Sequence, residues 1–453
     1  MSRSAQQNAH DRDYPATGYA WYVVVVLTLA YVVSFLDRQI LALLVEPIKS
    51  DLGISDTQMS LLLGLAFGIF YTLLGIPIGR LADRSSRRAI IATGISIWCV
   101  MTAFCGLARN YAQLFLARIG VGVGEATLGP SALSMISDYF PPERRARPLG
   151  FYAMGVSVGA GVAMLVGGQV IAATMKAPPV VLPLVGQLYA WQTVFLIVGL
   201  PGLLIALLMA TVREPVRHGM IRLEDDAGQL TETISIRAAA GFLRQRWRAY
   251  GGLFLGMSGA TMLGYGFLSW LPALYVRTWE WEIARVATVQ GIVMLFAGPI
   301  SVNLAGWLAD RDFRRGRKDA HMRIFILFGS IMLISAVTLP LLPGPWMATG
   351  MLFVNILGSA GLTAVATAAL MMMTPNQLRG QVSAIYYFVI NITGLTLGPT
   401  AVALLTDYLF RDDGALRYSM SVVGAVTGLM SVVVVWAGLR PYRRAVIEAE
   451  SWG

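Results

Sequence analysis

Long apolar stretches, most about 20 residues or more, follow one another along the chain with only short polar breaks between them. At 1.5 Å per helical residue, each is long enough to cross roughly 30 Å of hydrocarbon. The pattern predicts twelve spans, near residues 20–45, 57–80, 89–108, 111–139, 148–174, 190–211, 249–276, 284–309, 322–342, 346–373, 379–409 and 417–438. One longer polar break, 212–248, divides six spans from six. The expected architecture is an all-α polytopic membrane protein with twelve transmembrane helices in two pseudo-symmetric six-helix bundles. Its parts are an N-terminal tail over 1–19, a first bundle over 20–211, a linker over 212–248, a second bundle over 249–438 and a C-terminal tail over 439–453. Within the linker, residues 234–250 mix apolar side chains with Arg237, Arg244, Arg246 and Arg248, as a helix lying along a membrane surface does.

The two halves share sequence. Gly79-Arg80-Leu81-Ala82-Asp83-Arg84 recurs with one change as Gly306-Trp307-Leu308-Ala309-Asp310-Arg311, 227 residues later. The loop beginning Pro141-Pro142-Glu143-Arg144 has a counterpart at Thr374-Pro375-Asn376-Gln377, at nearly the same offset. A repeat the size of half the chain implies a cleft between halves and motion of one against the other.

Composition agrees: 56% of residues are hydrophobic and 13% charged, against about a quarter charged in soluble proteins. The net charge of +10 is not a nucleic-acid signal, because 26 of the 35 Lys and Arg fall in the termini and alternate loops of one side. By the positive-inside rule both termini face the cytoplasm, and a bacterial inner membrane is the expected location. The first apolar run holds Asp37 and Arg38 and lacks a small-residue cleavage site, so it reads as a span and not as a signal peptide. Cys99 and Cys105 read as packing residues. There is no His-Glu-x-x-His helix and no Gly-x-x-x-x-Gly-Lys phosphate loop, which argues against a membrane protease or an ATP-driven pump.

Ionisable residues inside the spans are few and carry the candidate chemistry. Asp37 and Arg38 are adjacent, hence about 100° apart on a helix, and need partners from elsewhere. The fourth span offers Arg118 and Glu125, seven residues and about 10 Å apart on one face. Depth matching pairs Asp37 with Arg118 and Arg38 with Glu125. A salt-bridge network that only clamps two helices is one reading, and proton coupling is the other. His10, His218 and His321 fall outside the predicted spans, leaving carboxylates as carriers, with Glu125 expected to exchange the proton and Asp37 to act as its charged partner. The second half shows no comparable buried charge. Its candidate cavity residues are Tyr265, Trp270, Asn303, Asn355, Thr363, Tyr386, Tyr387 and Asn391, with Arg38 contributing from the first half. In the repeat, Asp83 and Asp310 can accept hydrogen bonds from the N-terminus of another helix, a polar contact that can break in each cycle. Gly79, Arg84, Arg87, Gly306 and Arg311 complete these two latches.

The run Gly-x-Leu-Ala-Asp-Arg-x-x-Arg-Arg after the second span, with its second copy, resembles the signature loop of the major facilitator superfamily. Ser86 stands where that family often has Gly. The resemblance covers residues 20–438 and implies alternating access around one central cavity. It places Asp83 against the start of the eleventh span near residues 378–381 and Asp310 against the start of the fifth near Leu149. The Asp37-Arg38 pair, the Glu125 that ends Arg118-x-x-x-Gly122-x-Gly124-Glu125, and the Pro-Pro-Glu-Arg-Arg loop resemble the spinster-like branch. Its animal members are linked to export of sphingosine phosphate and lysophospholipids, and its bacterial members are proton-coupled. Glycines 155, 159, 161, 167 and 168 in the fifth span are similar to an antiporter signature without its Pro, and close helix packing explains them equally well.

The expectation is therefore a monomeric, proton-coupled secondary transporter, not an enzyme, for an amphipathic or anionic small molecule such as a lysolipid or sphingoid compound. Its partners are that substrate, protons and membrane lipids. Protons serve as the coupling ion, and no cofactor, metal or nucleic acid is expected. A transporter of small organic anions or drugs is the alternative, and an uncoupled channel or receptor the alternative from another class.

Overall fold

The computed structural model describes residues 14–183, 185–217, 223–224, 230–231 and 236–449. His10 and His218 lie outside them. Ten helices are long and apolar enough to cross a membrane, beginning with Thr17–Leu43 and Asp56–Ala82 and ending with Arg379–Phe410 and Asp413–Ala449. The remaining two expected spans are also helical. The fourth is broken into Tyr111–Glu125 and Leu128–Tyr139, and the seventh runs from Trp247 to Trp279. The expected linker helix forms over Ile236–Gln245. The last helix continues to Ala449, so most of the expected C-terminal tail is helix.

Helix starts follow local chemistry. Ser55 and Gln58 form a reciprocal capping box ahead of the second span, and the Asn110 side chain accepts from Gln113 N at the start of the fourth. Ser86, the departure from the family's Gly, caps the third span Arg87–Cys105 by accepting from Ala89 N. A residue that looked like a change of turn is a helix cap.

The chain forms two compact units: residues 1–48 with 69–220, and residues 49–68 with 221–453. The expected first bundle is thus not contiguous, because residues 49–68, the far end of the second span, pack with the second half. In that unit Gly64 lies so close to the eleventh span that a Cβ would sit 2.3 Å from the Leu395 carbonyl oxygen. Both helices carry a π-type turn there, Leu61–Leu65 and Ile392–Leu397, which offsets the local backbone ladder.

In the first unit the glycines do steric work. Gly155, Gly159 and Gly167 face Tyr31, Phe35 and Ile40 of the first span at distances only a small residue allows. A Cβ on Gly94 would fall 1.8 Å from Thr127 Oγ1, and one on Gly124 would fall 2.6 Å from Trp98 N. The third and fourth spans therefore cross almost backbone to backbone. This crossing fixes Glu125, the next residue, inside the bundle.

Candidate functional site

The four intramembrane ionisable residues converge within the first unit. Asp37, Arg118 and Glu125 are each 2% exposed or less, and Arg38 is partly exposed. Arg38 donates to Glu125 Oε2 through Nε at 2.7 Å and approaches the same oxygen with Nη2 at 2.6 Å. Its guanidinium also lies 4.8 Å from the ring centroid of Tyr71 and 5.4 Å from that of Phe35. The Arg38–Glu125 pair is the one that depth matching anticipates.

The other expected pair is not made. Neither oxygen of Asp37 has a hydrogen-bond partner, although Arg118, Glu125, Arg38 and Thr102 all lie in electrostatic range. The Thr102 hydroxyl faces Asp37 without closing a bond to it. The second oxygen of Glu125 is likewise without a partner. The site therefore joins a closed Arg38–Glu125 pair to three carboxyl oxygens, both of Asp37 and one of Glu125, that accept no hydrogen bond. Burial of an unpaired charge is costly, which makes this arrangement one that a proton or an incoming ion can rearrange. Tyr71 and Thr102 were missed from sequence because neither is a carboxylate or a cation.

The latch residues are divided. Arg87 is not part of a movable contact. It is 1% exposed, bonded to Asp138 of the fourth span, Ser134 Oγ and Glu214 Oε1, and its Nη2 reaches the Pro215 carbonyl. Glu214 also accepts from Ser86 Oγ and Arg88 N, and Arg217 donates to the Ala82 and Ser85 carbonyls. This is a clamp inside the first unit, tying the turn between the second and third spans to the exit of the sixth. A Cβ on Gly79 would meet nothing closer than Pro130 Cβ at 3.9 Å, one on Gly306 would meet nothing within 4 Å, and Asp310 is exposed. Arg84 is exposed, and Arg311 lies over the Trp307 ring. The side chain of Asp83 lies outside the described residues.

Three of the candidate cavity residues have structural partners instead. Trp270 is fully buried with Nε1 on the Pro399 carbonyl, and Asn355 donates to Met332 O and Ser335 Oγ. Asn303 is exposed and bonds its own helix at Pro299. Thr363 is exposed as well. Tyr386 is fully buried with its hydroxyl unpartnered, packed on Phe254 and Tyr387. Tyr387 bonds Thr367 at 3.2 Å and, with the partly exposed Tyr265 and Asn391, leaves an aromatic and polar face in the second unit. His321 is another correction: it lies in the first turn of the helix Ala320–Thr338 and is buried.

The second unit also holds the buried charge that the sequence did not show. Asp56 is fully buried, gripped by Arg277 Nη1 and Nη2 at 2.7 and 2.8 Å and by Lys49 Nζ at 2.5 Å. Lys49 also meets Asp413 at 2.8 Å, and Thr57 N donates to Asp407 at 2.6 Å. Asp56 follows the N-cap Ser55 of the second span and carries no motif of its own. Its position seven residues after Lys49, on a chain with so few charges, is the signal that could have found it.

The sequence profile of the Major Facilitator Superfamily matches residues 27–395. The chain belongs to that superfamily. It is 28% identical to an MFS-type efflux pump of Mycolicibacterium smegmatis over 98% of this chain and 99% of that protein. It is 25% identical to a probable L-galactonate transporter of Escherichia coli, covering 92% and 89% of the two chains. Among solved structures, a bacterial homolog of the human lysosomal transporter Spinster, inward-facing and unoccupied, superposes with a TM-score of 0.76. It is 25% identical, over 96% of this chain and 99% of that one. These matches bear out the superfamily and the spinster-like branch read from the motifs. The chain is an integral membrane transporter of the superfamily's fold, and not an enzyme.

Proposed function

We propose that this transporter couples proton movement to that of a small anionic substrate, and that Asp37 and Glu125 share the proton between them. The observation that carries the reading is Asp37, a fully buried carboxyl group with both oxygens unpartnered beside a closed Arg38–Glu125 pair. A carboxylate left bare in a bilayer is expensive, whereas a protonated one is neutral. The geometry favours an exchange of the roles that sequence assigned, with the proton on Asp37 while Arg38 compensates Glu125.

Arg38 is the group both reactions share. It is the partly exposed member of the cluster, and a guanidinium pairs well with carboxylate or phosphate. An arriving anion that takes Arg38 frees Glu125, which then needs a proton of its own. Binding and protonation are linked in this way without any covalent step. Several relatives are named for sugar acids, including L-galactonate and hexuronate, and those names favour a small organic anion. The exposed or partly exposed Tyr265 and Tyr387 of the second unit favour an anion with an apolar tail, such as a lysolipid, as the second reading. Asp83 and Asp310 remain the proposed latches, on the cytoplasmic side of a bacterial inner membrane that the basic loops indicate.

Proteoliposomes carrying a pH gradient and an internal pH dye test the proposal, with galactonate, hexuronates and lysophospholipids offered in turn. The parent should accumulate one class and move protons only when that class is present. Asp37→Asn and Glu125→Gln should each lose the response to the gradient while keeping downhill exchange. Full gradient-driven accumulation by either variant would place the proton elsewhere, and gradient-driven accumulation of lysophospholipids alone would overturn the sugar-acid reading.

A further inference from the structure

A cavity of about 730 Å³ lies in the first unit, on the face that carries the basic loops and apart from the four intramembrane charges. It is bordered by the start of the first span at Ala16 and Thr17, the end of the fourth at Tyr139 and Phe140, and the start of the fifth at Arg147 and Pro148. Two different helix N-termini therefore open onto one space. Neither has a side-chain cap: Ala16 and Arg145, the residues before Thr17–Leu43 and Ala146–Lys176, make none. First-turn N–H groups carry partial positive charge, though Pro148 in the second of these helices has no N–H to offer.

Side chains reinforce that charge. Arg144 and Arg147 both line the cavity, opposed by the single carboxylate of Glu143. The remaining wall is aromatic: Trp21 packs edge-on against Phe140 and Phe151, and Tyr14 and Tyr139 close the sides. Tyr and Trp beside arginines at a span's end is the composition that meets lipid headgroups, where an apolar body and a polar edge are both satisfied.

We infer that this cavity holds the phosphate-bearing headgroup of an anionic membrane lipid, the phosphate lying between Arg144, Arg147 and the two helix starts. A carboxylate or sugar substrate does not need this position, since the proposed transport site lies on other residues. A bound headgroup would tie the starts of the first and fifth spans, which pack along their lengths through Gly155, Gly159 and Gly167.

Native mass spectrometry of the purified full-length protein, titrated with phosphatidylglycerol or phosphatidylcholine, tests the inference. The parent should retain one phosphatidylglycerol that phosphatidylcholine does not displace. Arg144→Gln with Arg147→Gln should weaken that retention roughly 30-fold, the effect of two arginines near an anionic surface. Glu143→Gln should strengthen it, which guards against a double variant that fails to fold. Arg443→Gln with Arg444→Gln, equal in charge but outside the cavity, should change nothing. Unchanged retention in the R144Q/R147Q protein would overturn the site. Displacement of the lipid by millimolar inorganic phosphate alone would overturn the lipid as its occupant in favour of the free anion.

Discussion

Two buried charge clusters in this protein contain nearly the same chemical groups and are finished differently. Around Asp56, every carboxylate oxygen is met: two guanidinium nitrogens and an ammonium converge on it, and Lys49 reaches on to Asp413. Around Asp37, the Arg38–Glu125 pair is closed, but both oxygens of Asp37 and one of Glu125 accept no hydrogen bond. Burial is alike, since Asp37, Asp56 and Glu125 are all 1% exposed or less. What differs is satisfaction. A fully paired cluster holds one geometry, whereas an underpaired one has a low-cost alternative in taking up a proton or an anion.

The sharpest way to break this comparison is to empty the satisfied cluster. Asp56→Ala removes the carboxylate that Arg277 and Lys49 share, leaving Lys49 only Asp413, and breaking a buried pair from one side costs about 3–5 kcal/mol. Unfolding of the detergent-purified variant should show a loss of that size, partly restored when Arg277→Gln is added. A loss below about 1 kcal/mol would mean that the cluster is solvated and that its closed geometry does not hold residues 49–68 to the second half.

The same substitution logic should reverse sign at the other cluster. Asp37→Asn removes a carboxyl group that has no partner, so stability should stay level or rise by about 1 kcal/mol. Only the response to a pH gradient should be lost. If Asp37→Asn destabilised as strongly as Asp56→Ala, Asp37 would have to be a paired structural ion, and the contrast between the clusters would collapse.

Much of this was legible before any coordinates. Hydrophobic run lengths located the spans because a membrane sets one length scale for all of them. The Arg38–Glu125 pair was legible because depth follows from counting residues along a helix of fixed rise. The Asp37–Arg118 pair expected from the same count is not closed by a hydrogen bond to Asp37, because depth says which groups share a level but not which way each side chain turns. Arg87 looked like a latch residue because the repeat carries it, yet its partners are Asp138 in the fourth span and Glu214 just beyond the sixth, which share no motif with it. Trp270 and Asn355 failed as cavity residues because a polar group in a span is used more cheaply on a neighbouring helix's backbone. The Asp56 cluster was hidden because its partners Lys49 and Arg277 are far apart in the chain and share no motif with it.

The smallest effect lies in a third cluster, outside the membrane-spanning segments, which marks the scale between the other two. Glu214 is partly buried, which by itself raises its pKa, but the Arg88 N–H, the Arg87 guanidinium and the Ser86 hydroxyl outweigh this and hold it below the ordinary glutamate value of 4.5. A depressed carboxyl contributes its full stability above the ordinary range and loses it as pH falls through the lowered value. Glu214→Gln should therefore cost about 0.5–1 kcal/mol at neutral pH, the scale of a half-exposed pair, because Asp138 still holds Arg87. Thermal unfolding of parent and variant side by side should show their difference shrinking as pH drops below 4.5. A difference that persisted into stronger acid would mean that the bonds to Glu214 do not depend on its charge. The clamp would then be held by Asp138 and backbone carbonyls alone.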